Sequence, residues 1–171
     1  VTQPDRPKGR GRKLAPPPVK KAAQTLGLDI FQPEKRNTDD AAARLTALAP
    51  DYFVVAAFGQ ILSRRILDIP RKYPVNIHAS LLPKYRGAAP IQAAIQNMEK
   101  RTGITTMVMA KALDAGDILL QAATPIHPED NAQRLHDRLS AMGADLIVKT
   151  IDQINTSRLT PTPQDHDNAS Y

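Results

Sequence analysis

"DYFVVAAF", residues 51–58, is an unbroken apolar run of strand length behind a single acid. A run of this kind predicts a strand buried on both faces, as in a parallel sheet covered by helices. Its surroundings agree. "TDDAAARLTALA" (38–49) predicts a helix with Thr38 as N-cap and two acids in its first turn. "ILSRRILDI" (61–69) predicts a short amphipathic helix. "YPVNIH" (73–78) is the next strand, and "APIQAAIQNM" (89–98) a helix that begins at Pro90. "GITTMVMA" (103–110) and "DILLQAATPI" (117–126) are β-rich runs joined by "KALDAG", a hairpin or a tight excursion. "NAQRLHDRLSAMGADLIVKTIDQI" (131–154) is a long amphipathic helix with Asn131 as its cap. Upstream, Pro16 to Pro18 start a helix through "VKKAAQTLGL" that stops at Gly27, and "DIFQP" (29–33) is a short strand. Helices alternate with buried strands, so the expected fold class is α/β with a mainly parallel sheet.

The chain has 171 residues, enough for one domain with a full core. At 42% hydrophobic and 23% charged its composition is that of a soluble globular protein. No apolar run approaches the ~20 residues of a membrane span, and "VTQPDRPKGR" holds no signal-peptide core. There is no Cys, which excludes disulfides and thiolate metal sites, and the four His are scattered without zinc-ligand spacing. No metal and a cytoplasmic location are the expectations.

The net charge of +6 has a definite place. Residues 1–21 carry Arg6, Lys8, Arg10, Arg12, Lys13, Lys20 and Lys21 against one acid, Asp5, and the remaining residues balance. "PDRPKGRGRKLAPPP" (4–18) is rich in Gly and Pro and is expected as a loop. A basic loop of this kind is either a solvated surface or a contact for a polyanion.

"VNIHASLLPKYRGAAPIQ" (75–92) carries the chemistry. Residues two apart on a strand face one side, about 7 Å apart. Asn76 and His78 therefore project together near the C-terminal end of their strand, where open α/β sheets bind ligands. An Asn amide can hold a developing oxyanion, and His can move a proton near neutral pH. In the turn beyond them the backbone and Arg86 are expected to face a ligand. Asp114 and Asp117 flank a small-residue turn in "ALDAGDILL", and either carboxylate, brought to His78, would orient its ring.

With these motifs the chain resembles the methionyl-tRNA formyltransferases, within the wider family that uses 10-formyltetrahydrofolate. "VTQPDRPKGRGRKLAPPPVK" is similar to their basic loop, and "VVAAFGQIL" to the strand and turn beside their folate pocket. "NIHASLLPKYRGAAPIQ" resembles their active-site signature, and "LDAGDIL" the segment of the catalytic aspartate. The resemblance implies a Rossmann-like formyltransferase domain. It implies Asn76, His78 and Asp114 as the catalytic trio, and Ser80, Leu81, Leu82 and Pro83 along the tetrahydrofolate site. Arg6, Lys8, Arg10, Arg12 and Lys13 would contact tRNA. Asp117 is not catalytic on this reading. The co-substrate would be 10-formyltetrahydrofolate, and the acceptor the α-amine of methionyl initiator tRNA, for translation initiation, in a monomeric enzyme.

The sequence departs from the family pattern at Phe58, Ala93, Ala112 and Ala115, positions that bear on folate contacts. The resemblance also implies an internal fragment, with a first strand and helix before Val1 and a β-barrel domain after Tyr171. Residues 1–154 would then be the catalytic domain, with 1–21 its tRNA-contacting loop, and 155–171 a linker. Two other functions fit the same residues. One is another folate-dependent formyltransferase or a formyl-folate hydrolase, separated by which acceptor takes the formyl group. The other is an inactive RNA-binding piece that uses the basic loop alone.

Overall fold

A computed structural model describes residues 1–9, 12–35, 37–59 and 61–171. The chain divides into two compact units, one of residues 1–49 and 60–69, the other of residues 50–59 and 70–171.

In the first unit, strands β1 (Arg6–Lys8) and β2 (Lys13–Ala15) form an antiparallel ribbon, with Pro7 opposite Leu14. The segment expected as a loop is thus a hairpin. Gly9 at φ 73° and Arg12 at φ 46° let the chain reverse. Pro7 is tolerated because both strands of a two-stranded ribbon are edges. Helix α1 (Pro18–Thr25) opens on proline and closes at Gly27, φ 64°, as its sequence predicts. Lys20 ties it to Asp5 at 2.8 Å, and Gln32 bonds the same carboxylate at 2.9 Å. Residues 29–33 form no strand; Thr2 N–H donates to Phe31 O at 3.0 Å, and a single bond is not a ladder. Helix α2 (Asp39–Ala47) is capped by Thr38, whose hydroxyl accepts from Ala41 N at 3.3 Å. It buries Ala41, Ala42 and Leu45, while α3 (Arg64–Leu67) buries Ile66 and Leu67.

The second unit holds a four-stranded sheet in the order β3 (Tyr52–Ala56), β4 (Tyr73–His78), β5 (Arg101–Val108), β6 (Ile118–Pro125). The α/β reading stands, but this sheet is mixed rather than mainly parallel. β3 and β4 are parallel, and β4–β5 and β5–β6 are antiparallel. β5 and β6 are joined by an excursion without a helix and pair antiparallel, as in a hairpin. Between β4 and β5 the chain passes through helix α4 (Pro90–Gln96). β3 is not buried on both faces. It is an outer strand of the described sheet, and Val54 is 49% exposed.

Helix α5 (Ala132–Asn155) covers one face of the sheet, capped by Asn131, whose Oδ1 accepts from Arg134 N at 2.9 Å. Its stripe of Leu135, Leu139, Gly143, Leu146 and Ile147 recurs at helical spacing and packs with Ile104, Ile91 and Val75. A Cβ at Gly143 would stand 3.1 Å from Ile77 Cγ2, so the helix lies close on β4. Thr150 and Thr106 bond across the same interface at 2.9 Å. After α5 the chain meets β6 at one point, where Thr162 exchanges two backbone bonds with Ile118. No helix among the described residues is long and apolar enough to cross a membrane.

Candidate active site

β4 carries the site. It is paired on both sides, with Asn76 in register with Val55 and Met107, and His78 with Thr105. The backbone under Asn76 is thus fixed by two ladders, and that under His78 by the ladder to β5. Val75 and Ile77 turn to the apolar core, which by the two-residue period of a strand turns Asn76 and His78 to the other face.

His78 is 6% exposed. Its Nε2 lies 2.8 Å from Tyr85 O. A carbonyl can only accept, so Nε2 bears the proton in that bond. Nδ1 is left 3.6 Å from Asp114 Oδ2. Asp114 comes from the excursion between β5 and β6 and adopts φ 47°, a conformation that Asp tolerates better than most residues. Its Oδ2 accepts from Gly87 N at 2.9 Å, and its Oδ1 stands 3.5 Å from Asn76 Nδ2. The excursion is held tight at Gly116, where any Cβ would overlap the carbonyl of Val108. The structure therefore brings Asn76, His78 and Asp114 together. Asp117 is exposed, and its carbonyl accepts from Val108 N at 2.9 Å.

Ser80, Leu81, Leu82 and Pro83 follow the strand, with the first and third buried. Ser80 Oγ donates to Lys84 O at 2.6 Å. Thr105 Oγ1 donates to Ser80 O at 2.7 Å and accepts from Leu82 N at 3.2 Å. Ser80 and Leu82 thus shape the loop from inside, and half-buried Leu81 and Pro83 keep some exposed surface. Farther on, the Tyr85 hydroxyl donates to Glu99 at 2.8 Å and Lys84 Nζ does so at 2.9 Å. The Lys84 bond, then the Tyr85 bond, hold the Glu99 carboxyl below its usual value. Burial, then the bond to Glu99, push the Tyr85 hydroxyl up.

Arg86 does not present its guanidinium to a ligand. It is 6% exposed and is spent on the C-terminal segment: Gln164 Oε1 accepts from Nε at 3.1 Å and Nη2 at 2.8 Å, and Nη2 lies 2.9 Å from His166 Nδ1. Tyr85 N donates to Ser170 Oγ at 2.9 Å, and Arg86 N to Ser170 O at 2.8 Å. Sequence reasoning missed Gln164 and Ser170. They sit in a polar, proline-containing stretch with no periodicity.

In the first unit, alternation puts the positions of Arg6 and Lys13 on one face of the ribbon and those of Pro7 and Leu14 on the other. Arg6, Arg12 and Lys13 are exposed. Lys8 stands opposite Lys13 in the ladder, and Arg10 lies outside the described residues.

Comparison with known proteins adds independent support. The chain is 51% identical over 170 residues to methionyl-tRNA formyltransferase of Trichlorobacter lovleyi, covering 99% of this chain and 54% of that protein. It spans about half the length of the curated relatives it matches. Among solved structures, glycinamide ribonucleotide transformylase 1 from Symbiobacterium toebii superposes with a TM-score of 0.74 at 25% identity, over 85% of this chain and 74% of that one. An N-formyltransferase from Helicobacter canadensis, solved with folinic acid and dTDP-3-aminofucose, has a TM-score of 0.71 at 24% identity, over 88% and 52%, and shows the shared fold. A family model described as Formyl transferase matches residues 1–151. Because that match runs from the basic N-terminal segment through most of α5, the chain belongs to the formyl transferase family.

Proposed function

We propose that this chain supplies the catalytic region of an enzyme that moves the formyl group of 10-formyltetrahydrofolate to the α-amine of methionyl initiator tRNA. The observation that carries the reading is the convergence of Asn76, His78 and Asp114 in a chain half identical to a methionyl-tRNA formyltransferase. The donor set fits a formyl carrier. Formyl transfer needs donors for a developing oxyanion and a base for the amine proton, and this site offers two nitrogens and one carboxylate.

The co-substrate supplies the activated formyl carbon. Asn76 Nδ2 donates to the formyl oxygen as it gains negative charge, and His78 Nδ1 does so from the imidazolium, in which both ring nitrogens carry a proton. Tyr85 O holds the far side of the ring, so Nδ1 keeps its aim. Asp114 accepts the proton lost by the attacking amine and returns it to the departing nitrogen. Gly87 N–H fixes the carboxylate during both transfers. Ser80, Leu81, Leu82 and Pro83 form the wall of the folate site, the buried pair by setting the loop's path. Arg6, Lys8, Arg10, Arg12 and Lys13 grip tRNA phosphates, sequence-independent contacts suited to a flexible nucleic-acid end.

The test is formyl transfer from labelled 10-formyltetrahydrofolate by the full-length protein. Charged initiator tRNA, glycinamide ribonucleotide and an amino-sugar nucleotide are offered in turn as acceptors. Label in formylmethionyl-tRNA is the expected result. Label in another acceptor overturns the assignment, and formate released without any acceptor points to a hydrolase.

A further inference from the structure

Gln164 sits 5% exposed at the back of the site with its hydrogen-bonding capacity filled. Its Nε2 donates to Asp114 O at 2.8 Å and Gly116 O at 2.7 Å, and its Oε1 accepts twice from Arg86. The two carbonyls can only accept and the guanidinium can only donate, so one orientation of the amide satisfies all four bonds. The amide thus bridges two loops that both touch the trio. Asp114 and Gly116 belong to the excursion that carries the carboxylate. Arg86 lies between Tyr85, whose carbonyl holds His78, and Gly87, whose N–H holds Asp114.

We infer that Gln164 is a positioning residue for the transfer reaction, resting on the function proposed above. It touches no reacting atom. It clamps the Asp114 turn, in its unusual backbone conformation, to the loop after β4, and so sets the separation of Asp114 from His78 and Asn76. Ser170, bonded to Tyr85 and Arg86, pins the same loop from the same segment. The segment after α5 is therefore part of the catalytic apparatus, and its sequence gives no outward sign of it.

Two substitutions separate this role from simple support of the fold. Gln164→Glu keeps acceptors for Arg86 but turns an oxygen on the Asp114 and Gly116 carbonyls. Gln164→Met keeps the shape and loses all four bonds. In the full-length protein each should lower kcat about 10–100-fold, the usual cost of losing a partner that orients a catalytic group. KM for folate and for tRNA should stay within about threefold, and rates are read well below each variant's Tm. Asp114→Ala combined with Gln164→Glu should be no slower than Asp114→Ala alone, because the clamp has nothing left to position. The His78 ring ¹⁵N signals should move in Gln164→Met as they move in Asp114→Asn. An unchanged kcat, additive losses in the double variant, or unmoved His78 signals overturns the inference while active wild type upholds the functional reading. If wild type transfers no formyl group, that reading fails, and the His78 signals alone decide whether Gln164 positions Asp114.

Discussion

The carbonyl oxygen of Tyr85 accepts the Nε2 proton of His78 at 2.8 Å, which leaves Nδ1 as the ring nitrogen turned to Asp114. Tyr85 holds φ 57°, and its hydroxyl is anchored to Glu99 on the far side of the loop. The loop after β4 thus has two tasks. In the proposed reaction it walls the folate site, and it fixes the ring that donates to the formyl oxygen. Ring orientation by a backbone acceptor leaves the neighbouring carboxylate free for chemistry.

Removal of any one of the trio should therefore damage catalysis more than folding. Asn76→Ala, His78→Ala and Asp114→Ala should each lower the single-turnover rate by about 10²–10³, the usual effect of losing one oxyanion donor. His78 is 6% exposed and Asp114 holds Gly87 N–H, so their removal should cost about 1–3 kcal/mol of stability, and rates are read well below each variant's Tm. A His78→Ala variant that transfers formyl at a near-normal rate would remove His78 from the mechanism.

The basic ribbon makes a separate prediction. Replacing Arg6, Arg12 and Lys13 with Gln should weaken tRNA binding and flatten its salt dependence, each lost phosphate contact reducing the log–log slope by roughly 0.7–0.9. Folate affinity should not change. Titrations at several salt concentrations check this, and an unaltered slope would make the ribbon a solvated surface only.

Much of this was legible in the sequence because local rules and tertiary packing agreed. Thr38 and Asn131 are caps, Gly27 ends α1, and Asn76 and His78 share a face because a strand repeats every two residues. Sheet direction was not legible, since an apolar run does not say which way its neighbour points; β5 runs antiparallel to β4 although a helix stands between them. Arg86 misled because an Arg in a turn reads as a free cation, whereas its partners lie 78 and 80 residues away. Gln164 could not be found at all. A single polar residue in a proline-rich stretch has no pattern, and its importance comes from contacts that only folding creates.

Acid should loosen the loop after β4. The Glu99 carboxyl is held below the usual glutamate value by bonds from Lys84 and Tyr85. A depressed carboxylate stabilises the fold fully above its unfolded value, and that contribution is lost as pH falls through the lower folded value. Tm of the wild type should thus drop below about pH 4.5 more than Tm of Glu99→Gln, which has no carboxylate to protonate. The pair is partly exposed, so the difference should be small and should shrink in high salt. Parallel acid profiles for the two proteins would detach Glu99 from this part of the acid response.

At Gly143, α5 lies against the back of β4. A Cβ there meets Ile77 Cγ2 at 3.1 Å, closer than ordinary contact. Two effects compete on substitution. Ala in place of Gly favours the helix by about 1 kcal/mol, while overpacking a core costs about 1–3 kcal/mol. Gly143→Ala should accordingly lose between nothing and about 2 kcal/mol. Gly143→Val adds bulk and a β-branch without the full helix gain, and should lose about 2–3 kcal/mol, read from urea unfolding with an unchanged m-value. The clash is with one side chain, so the loss should fall by at least half in an Ile77→Ala background, a coupling within the range found for residues in contact. Ile77 stands between Asn76 and His78 on β4, and a strand pushed from behind carries both side chains with it. Gly143→Val should therefore lower kcat at temperatures where it remains folded, and Ile77→Ala should restore part of that rate in the double variant. Equal stability loss with and without Ile77, at full catalytic rate, would show that α5 relaxes away and leaves β4 in place.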